Sequence, residues 1–160
     1  MSAPSSNTFE IFSDSPQQTR DLGKRLGGLL QPGDVVCLQG ELGAGKTTFV
    51  QGVAQGWGSL DAVSSPTFIL VNVYRRAGEE KLFHFDTYRL DSAPEAEELD
   101  IDAMLQQGAL IIEWPERMQS VLPAERLWVM LEHVDEAQRK LTFEPKGGRA
   151  GKLLSGLRNG

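Results

Sequence analysis

A glycine-rich stretch with one lysine and two threonines carries the residue types best suited to chemistry. Residues 40–47 match the pattern G-x-x-x-x-G-K-[ST], in which glycines let backbone N–H groups turn inward around a phosphate. We expect Lys46 to hold the β- and γ-phosphates of a nucleotide and Thr47 to give its hydroxyl to Mg²⁺. The alternative for such a stretch is a glycine-rich turn that only caps a helix.

Apolar patterns on both sides give this loop the context that it needs. The short apolar run at residues 35–38 predicts a buried strand that leads into the loop. A helix that begins near Lys46 is predicted by apolar residues that share one face: Phe49, Val50, Val53, Ala54 and Trp57. The start of that helix would direct the positive end of its dipole at a bound phosphate. Strand, loop and helix together predict a phosphate-binding site.

Two acidic residues lie at or near the ends of other apolar runs. Asp86 belongs to the segment HFDTYR at residues 84–89, and Glu113 follows the run LII at residues 110–112. Because α/β sheets bind ligands at the carboxyl ends of their strands, either carboxylate could bind Mg²⁺, directly or through water, or orient an attacking water. Each could also simply mark a strand that leaves the core. The sequence leaves open which of the two carries more of the chemistry.

Further residues with side chains suited to chemistry have weaker signals. Thr67 lies in a loop before a strand, where its hydroxyl could close on Mg²⁺ or the γ-phosphate, or could cap a turn. His84 is interpreted as a packed strand residue rather than a base, and Trp114 as cover for the core rather than a ring that stacks on a nucleotide. The single cysteine, Cys37, is expected to be a buried and inert thiol. His133 carries no signal.

The remaining patterns predict one α/β domain at residues 8–145. Residues 1–7 are expected to be disordered, and residues 146–160, which are basic and contain no acid, to form a flexible tail. Ser15 and Pro16 predict the capped start of a helix that runs to about Leu30. Further strands are predicted at 8–12, 68–74, 81–88, 108–114, 127–131 and 141–143, and helical segments at 95–100, 102–107 and 115–121. The strands at 68–74 and 81–88 are expected to pair antiparallel because their connection is short.

Composition restricts the function further. The 160 residues carry a net charge of −6, which argues against broad binding of nucleic acid or of a membrane surface by the body of the chain. No apolar run approaches the length of a membrane span. The first residues show neither a basic nor an apolar leader region, so a cytoplasmic protein is expected. If the protein serves an RNA pathway, a partner is expected to hold the RNA.

The motifs together resemble those of the TsaE (YjeE) family of bacterial P-loop ATPases, which act in the threonylcarbamoyladenosine modification of tRNA. The resemblance covers about residues 10–132, in the order and spacing of the family. The matching segments are GELGAGKTT at residues 40–48, VSSPTF at 63–68, HFDTYRL at 84–90, EEL at 97–99 and IEWPE at 112–116. Asp100 departs from the glycine that often follows Glu-Leu in the family, which affects only a local helix end.

The resemblance implies a fold, a reaction and partners. The fold would be a single-domain P-loop NTPase fold, a mixed and mostly parallel sheet flanked by helices. The activity would be Mg²⁺-dependent ATP hydrolysis, slow for the isolated protein and stimulated by its partners TsaD and TsaB. TsaD would transfer the threonylcarbamoyl group to adenosine 37, using an intermediate made by TsaC, so this chain would meet tRNA only through the complex.

The resemblance also assigns roles to individual residues. ATP would bind at residues 42–48, which are Leu42, Gly43, Ala44, Gly45, Lys46, Thr47 and Thr48. Thr47 and Glu113 would contact Mg²⁺, Asp86 would be the Walker-B-like acid, and Thr67 would belong to a switch-like loop near the metal. By family position, Ser15 and Arg139 would approach the base or sugar of the nucleotide.

Three other functions compete with this one. A small-molecule P-loop kinase is the main alternative, although the sequence shows no arginine-rich lid between its later strands. A GTP-binding switch would need a guanine-reading Asn-Lys-x-Asp motif, which the sequence lacks. A non-catalytic partner module would bind nucleotide only as a structural support. The sequence does not indicate how hydrolysis would be coupled to a partner, or the stoichiometry of a complex.

Overall fold

A single mixed sheet is the framework of the described chain. The computed structural model describes residues 8–41, 43–63, 71–86 and 100–159. The strands are β1 Phe9–Ser13, β2 Val35–Gln39, β3 Val71–Arg75, β4 Lys81–Asp86, β5 Gly108–Glu113, β6 Arg126–His133 and β7 Arg139–Lys146. The helices are α1 Pro16–Gly27, α2 Lys46–Trp57, α3 Ile101–Gln107 and α4 Gly148–Asn159, with a 3-10 helix at Pro115–Val121. These elements confirm most of the predicted ones and shift their ends by a few residues.

The middle of the sheet is parallel and its edges are antiparallel. The strand order is β1-β7-β6-β2-β5-β4-β3. Strand β2 pairs in parallel with both β5 and β6, and β4 pairs in parallel with β5. The predicted β3–β4 hairpin is present as an antiparallel pair, as are β6–β7 and β1–β7. The predicted fold class, a P-loop NTPase fold with a mixed sheet flanked by helices, is confirmed.

The sheet is covered by apolar side chains on both faces. In β2, Val36 and Leu38 join the cluster under α1, α2 and α4, whereas Val35 and Cys37 join the smaller cluster on the α3 side. A strand that is buried on both faces has no polar alternation, which is why this run reads as continuously apolar. The central strands are therefore held firmly from both sides, and the loop after β2 starts from a rigid base.

Helices α1 and α2 lie side by side in parallel, and their backbones touch at glycines. A Cβ atom added at Gly52 would lie 2.0 Å from the carbonyl oxygen of Arg20, and one added at Gly27 would lie 2.0 Å from that of Val53. Only glycine lets two helices approach this closely. Because the contacts run in the same chain direction, both helices begin at the same end of the sheet.

The start of α1 is capped as the sequence predicts. The backbone N–H of Gln18 donates to Ser15 Oγ at 3.1 Å, and Pro16 occupies the first turn. The side-chain oxygen of Gln18 accepts in return from the N–H of Asp14 at 2.7 Å. The helix ends at Gly27 rather than near Leu30.

The prediction of a flexible tail is wrong for residues 148–159, which form helix α4. Ala150, Leu153, Leu154 and Leu157 are spaced as one helix face and are buried against the sheet. Arg149 Nε donates to Asp34 Oδ1 at 2.8 Å, and this carboxylate is almost fully buried. The basic residues suggested a solvated end, but the apolar residues between them have helical spacing and anchor the helix on the core.

Some predictions concern residues outside the described ranges. These are the disordered start at 1–7, most of the acidic helical segment at 95–100, and the first part of the strand at 68–74. Within the ranges that are described, no helix combines the length and the apolar composition that a membrane crossing requires.

Candidate phosphate-binding site

The loop between β2 and α2 has the backbone that its glycines predict. Gly43 and Gly45 have φ angles of 82° and 102°, in the region that glycine adopts most readily. A Cβ atom at Gly40 would lie 2.7 Å from the carbonyl oxygen of Leu131, so the chain passes closely over β6. Gly45 precedes α2 and provides no side-chain cap. The start of α2 is thus built as an anion-binding helix end is, with backbone N–H groups in place of a capping side chain.

Lys46 lies in the first turn of α2 and is buried. Its ammonium group donates to the carbonyl oxygen of Gly40 at 2.5 Å and lies 3.7 Å from the centroid of the Trp114 ring. This contact corrects the interpretation of Trp114 as core cover, because the ring is half-buried and covers the lysine. Trp114 follows β5 directly with a φ of 59°, an uncommon value for a residue with a side chain.

Burial and charge act on Lys46 in opposite directions. Burial lowers the pKa of its ammonium group below the ordinary lysine value, because a low-dielectric surrounding disfavours the charged form. Carboxylates near it partly oppose that shift by favouring the charged form, namely those of Glu113, Asp86 and Glu116. The ammonium group of Lys46 therefore lies among carboxylates, and a bound phosphate would compete with these carboxylates for it.

The two candidate acids lie side by side at the carboxyl ends of their strands. Glu113 pairs with Leu38 of β2 on one side and with Asp86 of β4 on the other. Glu113 is 6% exposed, whereas Asp86 is half-buried. The register of three parallel strands therefore brings both carboxylates to the level at which the glycine-rich loop begins.

Glu113 is bonded to the buried side chain of His84, which is bonded in turn to the buried side chain of Tyr74. His84 Nε2 lies 2.5 Å from Glu113 Oε2, and His84 Nδ1 lies 2.8 Å from the hydroxyl oxygen of Tyr74. The expected burial of His84 is confirmed, but the histidine is also joined to the candidate site. Sequence reasoning missed Tyr74. Since Tyr74 pairs with Leu82 across the hairpin, it shares a sheet face with His84, and the hairpin register is the signal that could have found it.

A cavity of about 370 Å³ lies beside the loop and includes His133. His133 Nε2 is 3.7 Å from the position that a Cβ atom at Gly43 would take. The cavity is also lined by Trp114, Glu116 and Glu132. His133 carried no signal in the sequence because its closeness to the loop depends on where β6 ends.

Ser15 and Arg139 lie at the β1–β7 side of the loop. Thr19, one turn into α1, approaches Gly45 to 3.8 Å, measured from the position of an added Cβ atom, so the start of α1 borders the loop. Arg139 pairs with Ser13 across β1 and β7, and its guanidinium donates to carbonyl oxygens of its own turn. Their predicted contact with base or sugar stays a prediction.

The other predicted site residues divide into two groups. Thr47 and Thr48 lie in the first turn of α2, Thr47 being exposed, and Ala44 is buried in the loop. Leu42 and Thr67 lie outside the described residues. In the part of the chain that is described, no three His, Cys, Asp or Glu side chains come together as a metal cage.

Parallel strands that end at a glycine-rich loop and a helix start define a protein of the P-loop NTPase fold. A family model described as "Threonylcarbamoyl adenosine biosynthesis protein TsaE" matches residues 13–141. The chain belongs to the TsaE family.

Several relatives support this membership. A protein of Bacillus subtilis named tRNA threonylcarbamoyladenosine biosynthesis protein TsaE is 38% identical over 144 residues, which cover 89% of each chain. A protein of the same name from Treponema pallidum is 40% identical over 135 residues, 84% of this chain and 98% of that one. The crystal structure of YdiB from Bacillus subtilis is 31% identical, covers 95% of both chains and superposes with a TM-score of 0.79.

Proposed function

We propose that this chain is a Mg²⁺-dependent ATPase required for threonylcarbamoyladenosine formation at adenosine 37 of tRNA, and that it acts with TsaB and TsaD. Family membership and the names of the relatives support the pathway. One observation supports the ATPase activity most directly. The strand registers align Glu113 with both Leu38 and Asp86, at the level of the loop that contains Lys46. Hydrolysis needs a phosphate cradle and acids within reach of it, and the position of the loop beside these two strand ends supports the proposal.

The loop and its lysine would bind the triphosphate. Backbone N–H groups of residues 43–48 would surround the phosphates, and Lys46 would exchange its bond to Gly40 for bonds to phosphate oxygens. Such an exchange replaces a neutral acceptor by a charged one, which strengthens the hydrogen bond. Trp114 covers the lysine from the side and would limit the access of water.

The acids and Thr47 fit Mg²⁺. Hydroxyl and carboxylate oxygens are ligands that Mg²⁺ prefers, and it usually keeps water and substrate phosphates as its other ligands. Thr47, Glu113 and Asp86 would hold the ion, which when bound neutralises charge on the phosphates. A carboxylate that holds the ion through a water molecule would also orient the attacking water.

The acidic body supports an indirect contact with tRNA. A net charge of −6 repels a phosphate backbone, so the partners would hold the RNA while this chain turns over ATP. The chain is therefore proposed to be an accessory enzyme of the modification rather than the enzyme that transfers the group.

The test is ATP hydrolysis with Mg²⁺, measured first for the isolated protein and then with purified TsaB and TsaD. Wild type is compared with Lys46→Ala and Glu113→Ala, and Lys152→Ala on the exposed face of α4 serves as a matched control. The proposal predicts slow turnover by wild type, a higher rate with the partners, and loss in both site variants only. Equal rates for wild type and site variants would refute it, and phosphoryl transfer to a panel of metabolites would then favour the kinase.

A further inference from the structure

A line of three buried polar side chains crosses the sheet and ends at Glu113. It runs from the Tyr74 hydroxyl to His84 Nδ1 at 2.8 Å, and from His84 Nε2 to Glu113 Oε2 at 2.5 Å. The three residues belong to β3, β4 and β5, which are neighbours in the sheet. The line therefore joins the edge strand of the hairpin to the candidate phosphate site.

The burial of these residues makes the line costly unless its members are bonded. Tyr74 is 3% exposed, His84 is 1% exposed and Glu113 is 6% exposed. A buried polar group that loses its partner destabilises the fold, and does so more strongly when it is charged. Buried polar side chains of this kind can fill the core or can position one another. Apolar side chains would fill the core at least as well, so packing alone does not explain the line.

A neutral His84 can satisfy both of its contacts in the line. In a neutral imidazole with its proton on Nε2, the Tyr74 hydroxyl donates to Nδ1 and Nε2–H donates to the Glu113 carboxylate. This arrangement fixes the ring of His84 and the orientation of the carboxylate in turn. Asp86, the neighbouring acid, is half-buried and lies one strand further from the loop strand.

We propose that His84 and Tyr74 are positioning residues, which hold the Glu113 carboxylate in the orientation that it needs beside the phosphate loop. This inference rests on the proposed function, because it assigns the line to the site that would bind Mg²⁺ and ATP. Groups bonded behind a metal or catalytic ligand commonly set its orientation, and their loss costs about 10- to 100-fold in affinity or activity.

The variants are chosen to separate position from packing. His84→Leu removes the donor to Glu113, whereas His84→Gln keeps an N–H donor on a side chain of similar reach. We expect His84→Leu to lower kcat about 10- to 100-fold and to weaken the binding of ATP only when Mg²⁺ is present, since Lys46 and the loop still bind the phosphates themselves. His84→Gln should recover part of the loss. Tyr74→Phe, which removes one oxygen atom, should show a smaller fall.

A double variant tests whether His84 acts through Glu113. If it does, adding His84→Leu to Glu113→Ala causes no further loss of kcat, because the carboxylate to be positioned is gone. A residue that only supports the fold would cause its own loss in both backgrounds. Thermal unfolding of each variant shows how much of any loss comes from a weakened fold.

Two readouts do not depend on turnover. The chain has two histidines, so a downfield imidazole N–H signal in the proton NMR spectrum can be assigned by comparison with His133→Gln. That signal should belong to His84, vanish in Glu113→Ala and shift in Tyr74→Phe. Calorimetry with a non-hydrolysable ATP analogue should show weaker binding by His84→Leu in the presence of Mg²⁺ and unchanged binding in its absence.

The outcomes distinguish this inference from the proposed function. Wild-type kcat in His84→Leu, together with an inactive Glu113→Ala, would overturn the positioning role and leave the ATPase standing. The lack of a His84 N–H signal in the wild-type spectrum would overturn it as well, even if His84→Leu does not fold. If wild type hydrolyses ATP no faster than Lys46→Ala, the proposed function fails. The NMR signal and the binding of the analogue would then still test whether His84 is bonded to Glu113 and positions it.

Discussion

At the scale of single residues, Lys46 shows a conflict between stability and function. Its ammonium is buried in the first turn of α2, and burial lowers its pKa even though three carboxylates lie near. A protein that needed only to fold would place an apolar side chain there. The lysine is therefore retained at a cost in stability, as is common for residues that bind a ligand.

Replacing this lysine by methionine should stabilise the fold. We expect Lys46→Met to raise the free energy of unfolding at pH 7 by roughly 0.5–2 kcal/mol, because the penalty for a buried charge is removed. The folded chain releases this proton at a lower pH than the unfolded chain, whose lysine titrates near 10.5. The penalty is full below the lowered pKa and declines to zero as the pH rises from there to about 10.5, so the gain should shrink toward pH 10.

Urea unfolding at pH 7 and at pH 10 measures this prediction. Lys152→Met on the exposed face of α4 is the matched control, and it should change stability by less than about 0.5 kcal/mol. A less stable Lys46→Met protein at pH 7 would mean that the bond to Gly40 and the contact with Trp114 outweigh the cost of burial.

The thiol of Cys37 should be unreactive in the folded protein. Burial raises its pKa to about 12, so almost no thiolate exists near neutral pH. A thiol reagent at pH 8 should label the native chain only as fast as it unfolds, and should label it at once in denaturant. Rapid labelling of one thiol in the native protein would show that β2 is accessible.

The sequence identifies the residues of the site better than it identifies their contacts. Lys46 could be predicted because its role follows from a local spacing, and Glu113 because it follows an apolar run. The contacts of Tyr74, His84 and His133 depend on which strands pair and in which register. Those pairings join distant parts of the chain, and a local pattern does not encode them.

At the scale of elements, the α1–α2 pair positions the loop. The closest backbone approaches are at Gly52, Gly27 and Gly56, each with an added Cβ atom about 2.0 Å from a carbonyl oxygen of the other helix. The loop and the start of α1 are therefore fixed relative to each other by backbone contact rather than by long side chains.

An alanine in this interface should separate the helices. Gly52→Ala places a methyl group against the carbonyl oxygen of Arg20, and we expect a loss of about 1–3 kcal/mol, as for other overpacked interiors. Gly151→Ala in α4 meets no neighbour within 4 Å and should be neutral or stabilising by up to about 1 kcal/mol. Urea unfolding compares the two variants, and equal effects would contradict the close approach.

At the scale of the whole molecule, α4 packs against β6, β7 and α1 and is joined to the segment before β2. Arg149 forms two bonds to the buried Asp34 carboxylate, at 2.8 and 2.9 Å, and a third to the carbonyl oxygen of Leu29. Asp34 lies directly before β2. The last helix is thereby tied to the base of the strand that leads into the phosphate loop.

Removing the arginine should destabilise the protein as a whole. Arg149→Met leaves the Asp34 carboxylate buried without its cation, and we expect a loss of about 1–3 kcal/mol, reduced because the arginine is partly exposed. Arg158→Met, also in α4 but exposed, is the matched control. The double variant Asp34→Asn/Arg149→Met should recover part of the loss. A loss as large for Arg158→Met would assign the effect to the helix rather than to the ion pair.

The fold class could be predicted from the sequence, whereas the role of its last segment could not. Strand β2 and helix α2 have strong local patterns, and each is buried in the way that its pattern indicates. Helix α4 has only four buried positions among glycines and basic residues. Its basic composition therefore led to the prediction of a flexible tail, although the spacing of its apolar residues indicates a helix. Its docking depends on Asp34, which is far away in sequence and close in space.

The pairing of β2 has a consequence for how the chain is made. Its two neighbours begin near Leu110 and Leu127, so most of the polypeptide must leave the ribosome before this strand has any partner. Helices α1 and α2 need only residues 16–57 to meet, and they can pack much earlier. We therefore expect the helix pair beside the glycine-rich loop to form early in synthesis. The strands on both sides of β2 would pair with it only later, when residues near 130 become available.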